Sequence, residues 1–181
     1  MRYLSITQFA SVVIGSLVAT SAFATQYLTQ EQAQQVVFPD ATSFKSQSVT
    51  LSLEQIHRVE KLAGLPVRSV AWHIFTAYKD DQVLGYLVFD DVVGKFELIS
   101  YAVGFQPDAA IRQIEILTYR ESHGFEIRNT AWRKQFVGKL PSKELNVGEG
   151  IANISGATMS CTHVTDGVRR IAAVLQIYLN K

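Results

Sequence analysis

Four apolar stretches follow one another in the middle of the chain, and they constrain the possible folds more than any other feature. They cover residues 69–78, 83–92, 96–105 and 111–119. All four are rich in β-branched and aromatic residues, and short polar turns separate them, a pattern typical of strands. Consecutive strands with short connections usually pair antiparallel. The sequence therefore predicts an antiparallel meander of at least four strands.

Helical patterns lie on both sides of this strand region. Thr29 can cap a helix that continues to Val37, and Thr50 or Ser52 can cap a second helix that ends at Ala63. Near the end of the chain, apolar residues at helical spacing predict a final helix of about twenty residues. The combination favours one α+β domain, a twisted antiparallel sheet with helices packed on one face.

The first 24 residues have the composition of a signal peptide. Arg2 is their only charged side chain, residues 9–19 form an apolar run broken only by Ser and Gly, and residues 22–24 read Ala-Phe-Ala. The run is shorter than the about 20 apolar residues that a membrane-spanning helix needs. We therefore expect residues 1–24 to be a cleaved signal peptide and residues 25–181 to be an exported, periplasmic domain. An uncleaved N-terminal anchor is the alternative.

Charge and cysteine content exclude several classes of function. The formal net charge is +1, from 17 Lys and Arg against 16 Asp and Glu, so we expect no nucleic acid as a partner. Cys161 is the only cysteine, so an intramolecular disulfide is impossible, and we expect a half-buried helix residue there rather than a reactive thiol. The four histidines show no metal-ligand spacing, so no metal is expected.

The turn before the final helix is the best candidate for a binding site. Residues 155–160 read Ser-Gly-Ala-Thr-Met-Ser. The first N–H groups of a helix have no partner within the helix, and its N-terminus is electrically positive, so such a turn suits a phosphate. Gly156 allows a close approach of the backbone, and the hydroxyl groups add donors. Plain capping of the helix by Ser or Thr is the alternative.

The Ser-Gly-Ala-Thr sequence, followed by a long helix, resembles the attachment motif of the FMN-binding domain family. That family includes subunits of the sodium-pumping NADH:quinone oxidoreductase and of the Rnf electron-transport complex. Residues 83–86, 94–97 and 101–104 resemble the family's strand core. Residues 120–124 resemble the loop that precedes a Trp-x-x-Gln-Phe segment, here residues 132–136. The resemblance implies an FMN-binding domain over residues 25–181, with FMN as its cofactor.

The same resemblance assigns roles to individual residues. It implies that Thr158 is esterified to the FMN phosphate by a dedicated flavin transferase, and that the loop with Glu121 and His123 lies near the flavin ring or the ribityl chain. Lys95 is expected at a phosphate or flavin oxygen, although an edge-strand lysine that discourages aggregation is equally compatible. Trp132 and Phe136 are candidates for stacking on the ring or for the core. The remaining predicted cofactor-binding residues are Ser155, Gly156, Ala157 and Ser160.

The resemblance implies an electron-transfer protein, and we expect it to have no independent substrate turnover and to be partnered by a periplasmic or membrane redox protein. The family usually has an aspartate six residues before the threonine, where this chain has Ala152. That difference favours the alternative, a flavin-free binding or assembly module of a redox complex.

Overall fold

In the computed structural model, which describes residues 25–121, 123–141 and 144–180, six strands form one antiparallel sheet. The predicted signal peptide lies outside these residues. The strands are β1 (Thr25–Gln26), β2 (Ser43–Thr50), β3 (Ala71–Lys79), β4 (Gln82–Val93), β5 (Leu98–Phe105) and β6 (Ile111–Tyr119). Their order across the sheet is β1-β6-β5-β4-β3-β2. The predicted meander corresponds to β3 through β6, and the predicted α+β class is confirmed.

Four α-helices accompany the sheet in the described part of the chain. They are α1 (Gln30–Val37), α2 (Leu53–Ala63), α3 (Thr130–Lys134) and α4 (Thr158–Leu179), and a 3-10 helix covers Phe125–Arg128. Thr29 caps α1 and Ser52 caps α2, each through a reciprocal capping box with a glutamine three residues later. Thr50, the other predicted cap, ends β2 instead.

The helices lie on both faces of the sheet. The face of β4 and β5 that carries Val88 and Val103 packs against α4 in the main core, and α2 packs against α4 in the same core. On the opposite face, Ala33 and Val37 of α1 pack against Leu87. The expected single helical face therefore applies to α2 and α4, while α1 forms a second, smaller layer. Spacing alone does not reveal this layer, because a two-turn helix shows which of its sides is apolar but not which sheet face it meets.

The long helix α4 connects the core to the surface. Its middle turns are buried, including Val164, Val168, Ile171 and Leu175, as their helical spacing predicts. Its first residue, Thr158, is exposed. The packing of the buried turns thus fixes where the first turn lies.

Candidate functional site

The turn at the start of α4 is left without a side-chain cap. Ala157 occupies the N-cap position with φ −124° and ψ 22°. Within the described residues, it makes no side-chain capping hydrogen bond to the first amides of α4. Gly156 has φ +83°, and a Cβ added to it would meet no described atom within 4 Å. The Cys161 amide donates to the Ala157 carbonyl at 2.9 Å, so the amides of residues 158–160 precede the helical ladder. Plain capping by Ser155 or Thr158 is therefore not what this turn does.

The hydroxyl of Thr158 has a defined partner that the sequence did not indicate. Asn153 donates from Nδ2 to Oγ1 of Thr158 at 3.0 Å, and both residues are exposed. The contact closes a loop of a few residues around Gly156. The acceptor side chain that the family resemblance singled out is thus both accessible to solvent and hydrogen-bonded.

The segment before the turn is held by the Trp-x-x-Gln-Phe residues. Trp132 donates from Nε1 to the Ala152 carbonyl at 2.8 Å, and Gln135 Oε1 accepts from the Ala152 amide at 2.8 Å. Both contacts are to the backbone, so they are made whatever side chain stands at position 152. Trp132 and Phe136 are buried and pack edge to face, with ring centroids 5.0 Å apart. They belong to the core, the second of the two roles considered from the sequence.

A second loop, between the end of β6 at Tyr119 and the 3-10 helix that begins at Phe125, forms the opposite wall of the site and contains Glu121. Its Oε1 accepts from the amides of Phe96 at 2.7 Å and Glu97 at 3.0 Å. Burial by itself raises the pKa of the Glu121 carboxyl, but these amide donors and nearby Lys95 outweigh it and bring the pKa below its ordinary value. The carboxylate therefore orders the 94–97 turn.

Lys95 and Phe96 lie at the mouth of the site. Both are exposed, Phe96 by 76%, and Lys95 Nζ lies 4.9 Å from the centroid of the Phe96 ring. Because β5 begins at Leu98, Lys95 lies in a turn, and the edge-strand role does not apply. The sequence predicts Phe96 as the first residue of a strand, but it lies in the turn before β5, because apolar periodicity does not distinguish a strand residue from an aromatic residue in the preceding turn.

Tyr119 joins the second loop to α4. Its hydroxyl donates to the His123 carbonyl and lies 3.3 Å from Oγ of Ser160. Ser160 is 3% exposed, so its side chain lies toward Tyr119, under the turn, and not toward solvent as a phosphate donor would. Burial raises the pKa of Tyr119, which keeps the phenol protonated as a donor. Gly124, with φ +86°, brings this loop into contact with Ala157.

These elements enclose one cleft of about 390 Å³. Phe96 and Met159 line it, together with seven of the eight predicted site residues. These seven are Lys95, Glu121, His123, Gly156, Ala157, Thr158 and Ser160. Ser155 is exposed beside the cleft and is not among its lining residues. Residues separated by up to 65 positions thus meet at one place. A cavity of about 410 Å³ elsewhere, beside β1 and Phe75, contains none of the predicted residues.

Other residues considered from the sequence lie away from the cleft. Cys161 is fully buried, and burial raises the pKa of its thiol, so it is an inert core residue. His163 Nδ1 lies 2.5 Å from the Val93 carbonyl, outside the lining of the cleft. Among the described residues, no group of three or more His, Cys, Asp or Glu is arranged to hold a metal ion. Nor does any described helix combine the length and apolar character needed to cross a membrane.

Comparison with known proteins agrees with this geometry. Residues 94–173 match the family model described as FMN-binding domain, a stretch that contains every residue lining the cleft. The fold is similar to that in the crystal structure of Shewanella oneidensis NqrC, with a TM-score of 0.52. The two chains are 16% identical over 80% of this chain and 87% of the other. At that identity the likeness concerns the fold. A search of curated proteins gave no match.

Proposed function

Because residues 94–173 belong to the FMN-binding domain family, we propose that this chain holds FMN in the cleft at the start of α4 and serves as an electron-transfer module. One observation carries the proposal. An exposed threonine hydroxyl stands on the first residue of a long helix whose amides lack a side-chain cap, on the wall of a cleft of about 390 Å³. Clefts of about 300–1,000 Å³ are the usual size for small-molecule and cofactor sites.

The residues present fit the phosphate end of FMN. The amides of residues 158–160 precede the helical ladder, and the helix dipole favours a negative charge beside them. The open space beside Gly156 gives a phosphate room next to the backbone. Because no side chain caps the start of this 22-residue helix, its first amides remain available to an anionic ligand.

The exposed hydroxyl of Thr158 supports covalent attachment. An alcohol does not esterify a free phosphate monoester in water, so the flavin transferase requires a donor with an activated phosphate, such as a dinucleotide in which FMN is joined to AMP. Thr158 Oγ1 then forms a bond to the flavin phosphorus, the phosphoanhydride bond breaks, and AMP leaves with the bonding electrons. The hydroxyl proton passes to a base of the transferase.

The rest of the cleft suits the flavin ring. Phe96 and Met159 are exposed apolar side chains at its mouth, and Lys95 adds a positive charge beside them. FMN supplies one-electron and two-electron chemistry when bound, while the protein holds and orients it. The described cleft offers ring contacts and a phosphate cradle. We therefore propose an electron carrier whose turnover depends on a redox partner.

Export is part of the proposal, on the strength of the amino-acid pattern of residues 1–24. A mature domain in the periplasm would meet a periplasmic or membrane redox partner there. A phosphoester bond would also prevent loss of the flavin to the surroundings.

The test is the intact mass of the mature protein from its native host, with flavin fluorescence in a denaturing gel. The wild type is expected to gain the mass of one FMN less one water and to fluoresce. Thr158→Ala is expected to lose both signals, while Thr162→Ala, which removes a hydroxyl one turn later on the same helix, keeps them. Retention of the mass gain in Thr158→Ala would show that another residue is the acceptor.

The alternative is a flavin-free module, favoured by Ala152 in place of the family's aspartate. The same experiment separates the two. An unmodified wild type that also binds no added FMN in equilibrium dialysis would support the flavin-free module. An unmodified wild type that binds FMN would retain the site and reject only the covalent bond.

A further inference from the structure

We infer that Asn153 is a positioning residue for the modification of Thr158, a role that rests on the proposed attachment. The observation is the hydrogen bond from Asn153 Nδ2 to Thr158 Oγ1 at 3.0 Å. Asn153 is exposed, so its amide is not held there by a need to satisfy a buried polar group. The bond is made to the one atom that must become the ester oxygen.

The direction of this bond leaves the hydroxyl able to attack. A threonine hydroxyl has one proton and two lone pairs. Asn153 donates to one lone pair, which leaves the second free to form the bond to phosphorus and the proton free for a base. A threonine in a helix divides between two χ1 rotamers, and the contact with Asn153 selects the one whose oxygen lies on the Asn153 side.

The backbone on both sides of Asn153 is held in place. Trp132 and Gln135 fix the carbonyl and amide of Ala152, the residue next to Asn153. The Ala157 amide donates to the Ile154 carbonyl at 3.0 Å, which closes the turn that returns the chain to Thr158. Asn153 therefore extends from a braced segment to the first residue of a buried helix.

An amide also suits the product better than a carboxylate would. Once Oγ1 is an ester oxygen it has no proton and can only accept, so Asn153 can keep donating to it. A carboxylate at the same place would lose its hydrogen bond and would repel the phosphate, which remains negative after esterification. The donor character of Asn153 is thus what the inference depends on.

The first readout needs no flavin. Three-bond couplings of Thr158, measured by NMR on the unmodified 25–181 protein, report whether its χ1 angle is fixed. A single rotamer is expected in the wild type and in Gln106→Ala, an exposed amide far from the turn, and averaging between rotamers is expected in Asn153→Ala. Averaging in the wild type, or a single rotamer in Asn153→Ala, would overturn the inference.

The second readout is the rate of flavin incorporation by the purified transferase with its dinucleotide donor. Loss of one hydrogen bond of ordinary strength predicts a kcat about fivefold lower for Asn153→Ala, with KM and the melting temperature unchanged. Asn153→Asp is expected to be at least as slow, because it removes the donor and adds a negative charge. A wild-type kcat in Asn153→Ala, or a kcat for Asn153→Asp at or above the wild type, would refute a donor role.

The two proposals fail in different ways. If the wild type accepts no flavin, the proposed attachment is refuted, while the couplings still decide whether Asn153 orients the hydroxyl. If the wild type is modified and the Asn153 variants are modified equally fast, the attachment stands and the positioning role is refuted. A fall in kcat that only accompanies a fall in melting temperature would identify a structural residue and would equally reject the inference.

Discussion

Gly124→Ala is the substitution for which the structure gives the sharpest expectation. Gly124 has φ +86°, and an added Cβ would lie 2.5 Å from the Ala157 Cβ and 2.6 Å from Tyr119 Oη. Two costs therefore combine. A left-handed backbone costs a non-glycine residue about 1–2 kcal/mol, and forcing extra volume into a packed contact costs about 1–3 kcal/mol.

Gly138→Ala separates these two costs. Gly138 has φ +79°, and its added Cβ would meet no described atom within 4 Å. It therefore carries the backbone cost alone. The free energy of unfolding is expected to fall by about 1–2 kcal/mol in Gly138→Ala and by about 1–3 kcal/mol more in Gly124→Ala.

Urea unfolding followed by circular dichroism measures both variants, with equal slopes as the sign that the unfolded states are comparable. Gly124→Ala is also expected to slow flavin incorporation at Thr158, because the added Cβ displaces the 123–124 backbone from Ala157, the residue before the acceptor. Equal destabilisation of the two variants, with an unchanged rate of flavin incorporation, would refute the claim that Gly124 packs against Ala157.

Three other changes test the walls of the cleft. The pKa of Glu121 is lowered in the folded state, so the contribution of its carboxylate to stability is full above the ordinary pKa of 4.5 and is lost as the pH falls through the folded pKa. Glu121→Gln should remove that part of the pH dependence of the free energy of unfolding, measured in urea titrations at several pH values. Trp132→Phe should lower the free energy of unfolding by about 1–3 kcal/mol, because it removes the hydrogen bond to the Ala152 carbonyl and leaves a smaller ring in the core. A change below about 0.5 kcal/mol would show that Trp132 does not stabilise the segment at Ala152. Phe96→Ala should leave stability within about 0.5 kcal/mol of the wild type, because the ring is exposed, yet alter the visible circular dichroism of bound flavin; identical spectra would place the ring elsewhere.

The sequence predicted the elements whose own residues determine them. The strands β3 to β6 have continuous apolar and β-branched patterns, and Thr29 and Ser52 have a glutamine at the position that completes a capping box. In contrast, β2 reads Ser-Phe-Lys-Ser-Gln-Ser-Val-Thr and has one buried residue, Val49, so its hydrophobicity gives no strand signal. It is a strand because β3 offers eight paired positions at the sheet edge.

In the candidate site, too, the sequence predicted the features that depend on neighbouring residues and missed those that depend on distant ones. The Ser-Gly-Ala-Thr turn is local, so the exposed hydroxyl of Thr158 at a helix start could be expected. The inward orientation of Ser160 could not, because it depends on Tyr119, 41 positions earlier. Nor could the hydrogen bond from Asn153, since an asparagine in a loop has many possible partners and only the folded turn selects one.

The burial of α4 has a consequence for how a group attached at its first turn would move. Buried helices of this kind exchange their amide protons only when much of the domain unfolds, whereas surface loops open at little cost. The attachment point of a flavin esterified to Thr158 would be anchored to that slowly opening helix and not to a surface loop. Native-state hydrogen exchange of residues 164–175 would then set the lower limit for how long the attachment point keeps its place in the domain. Delivery of electrons to a partner would be governed by how the whole domain docks.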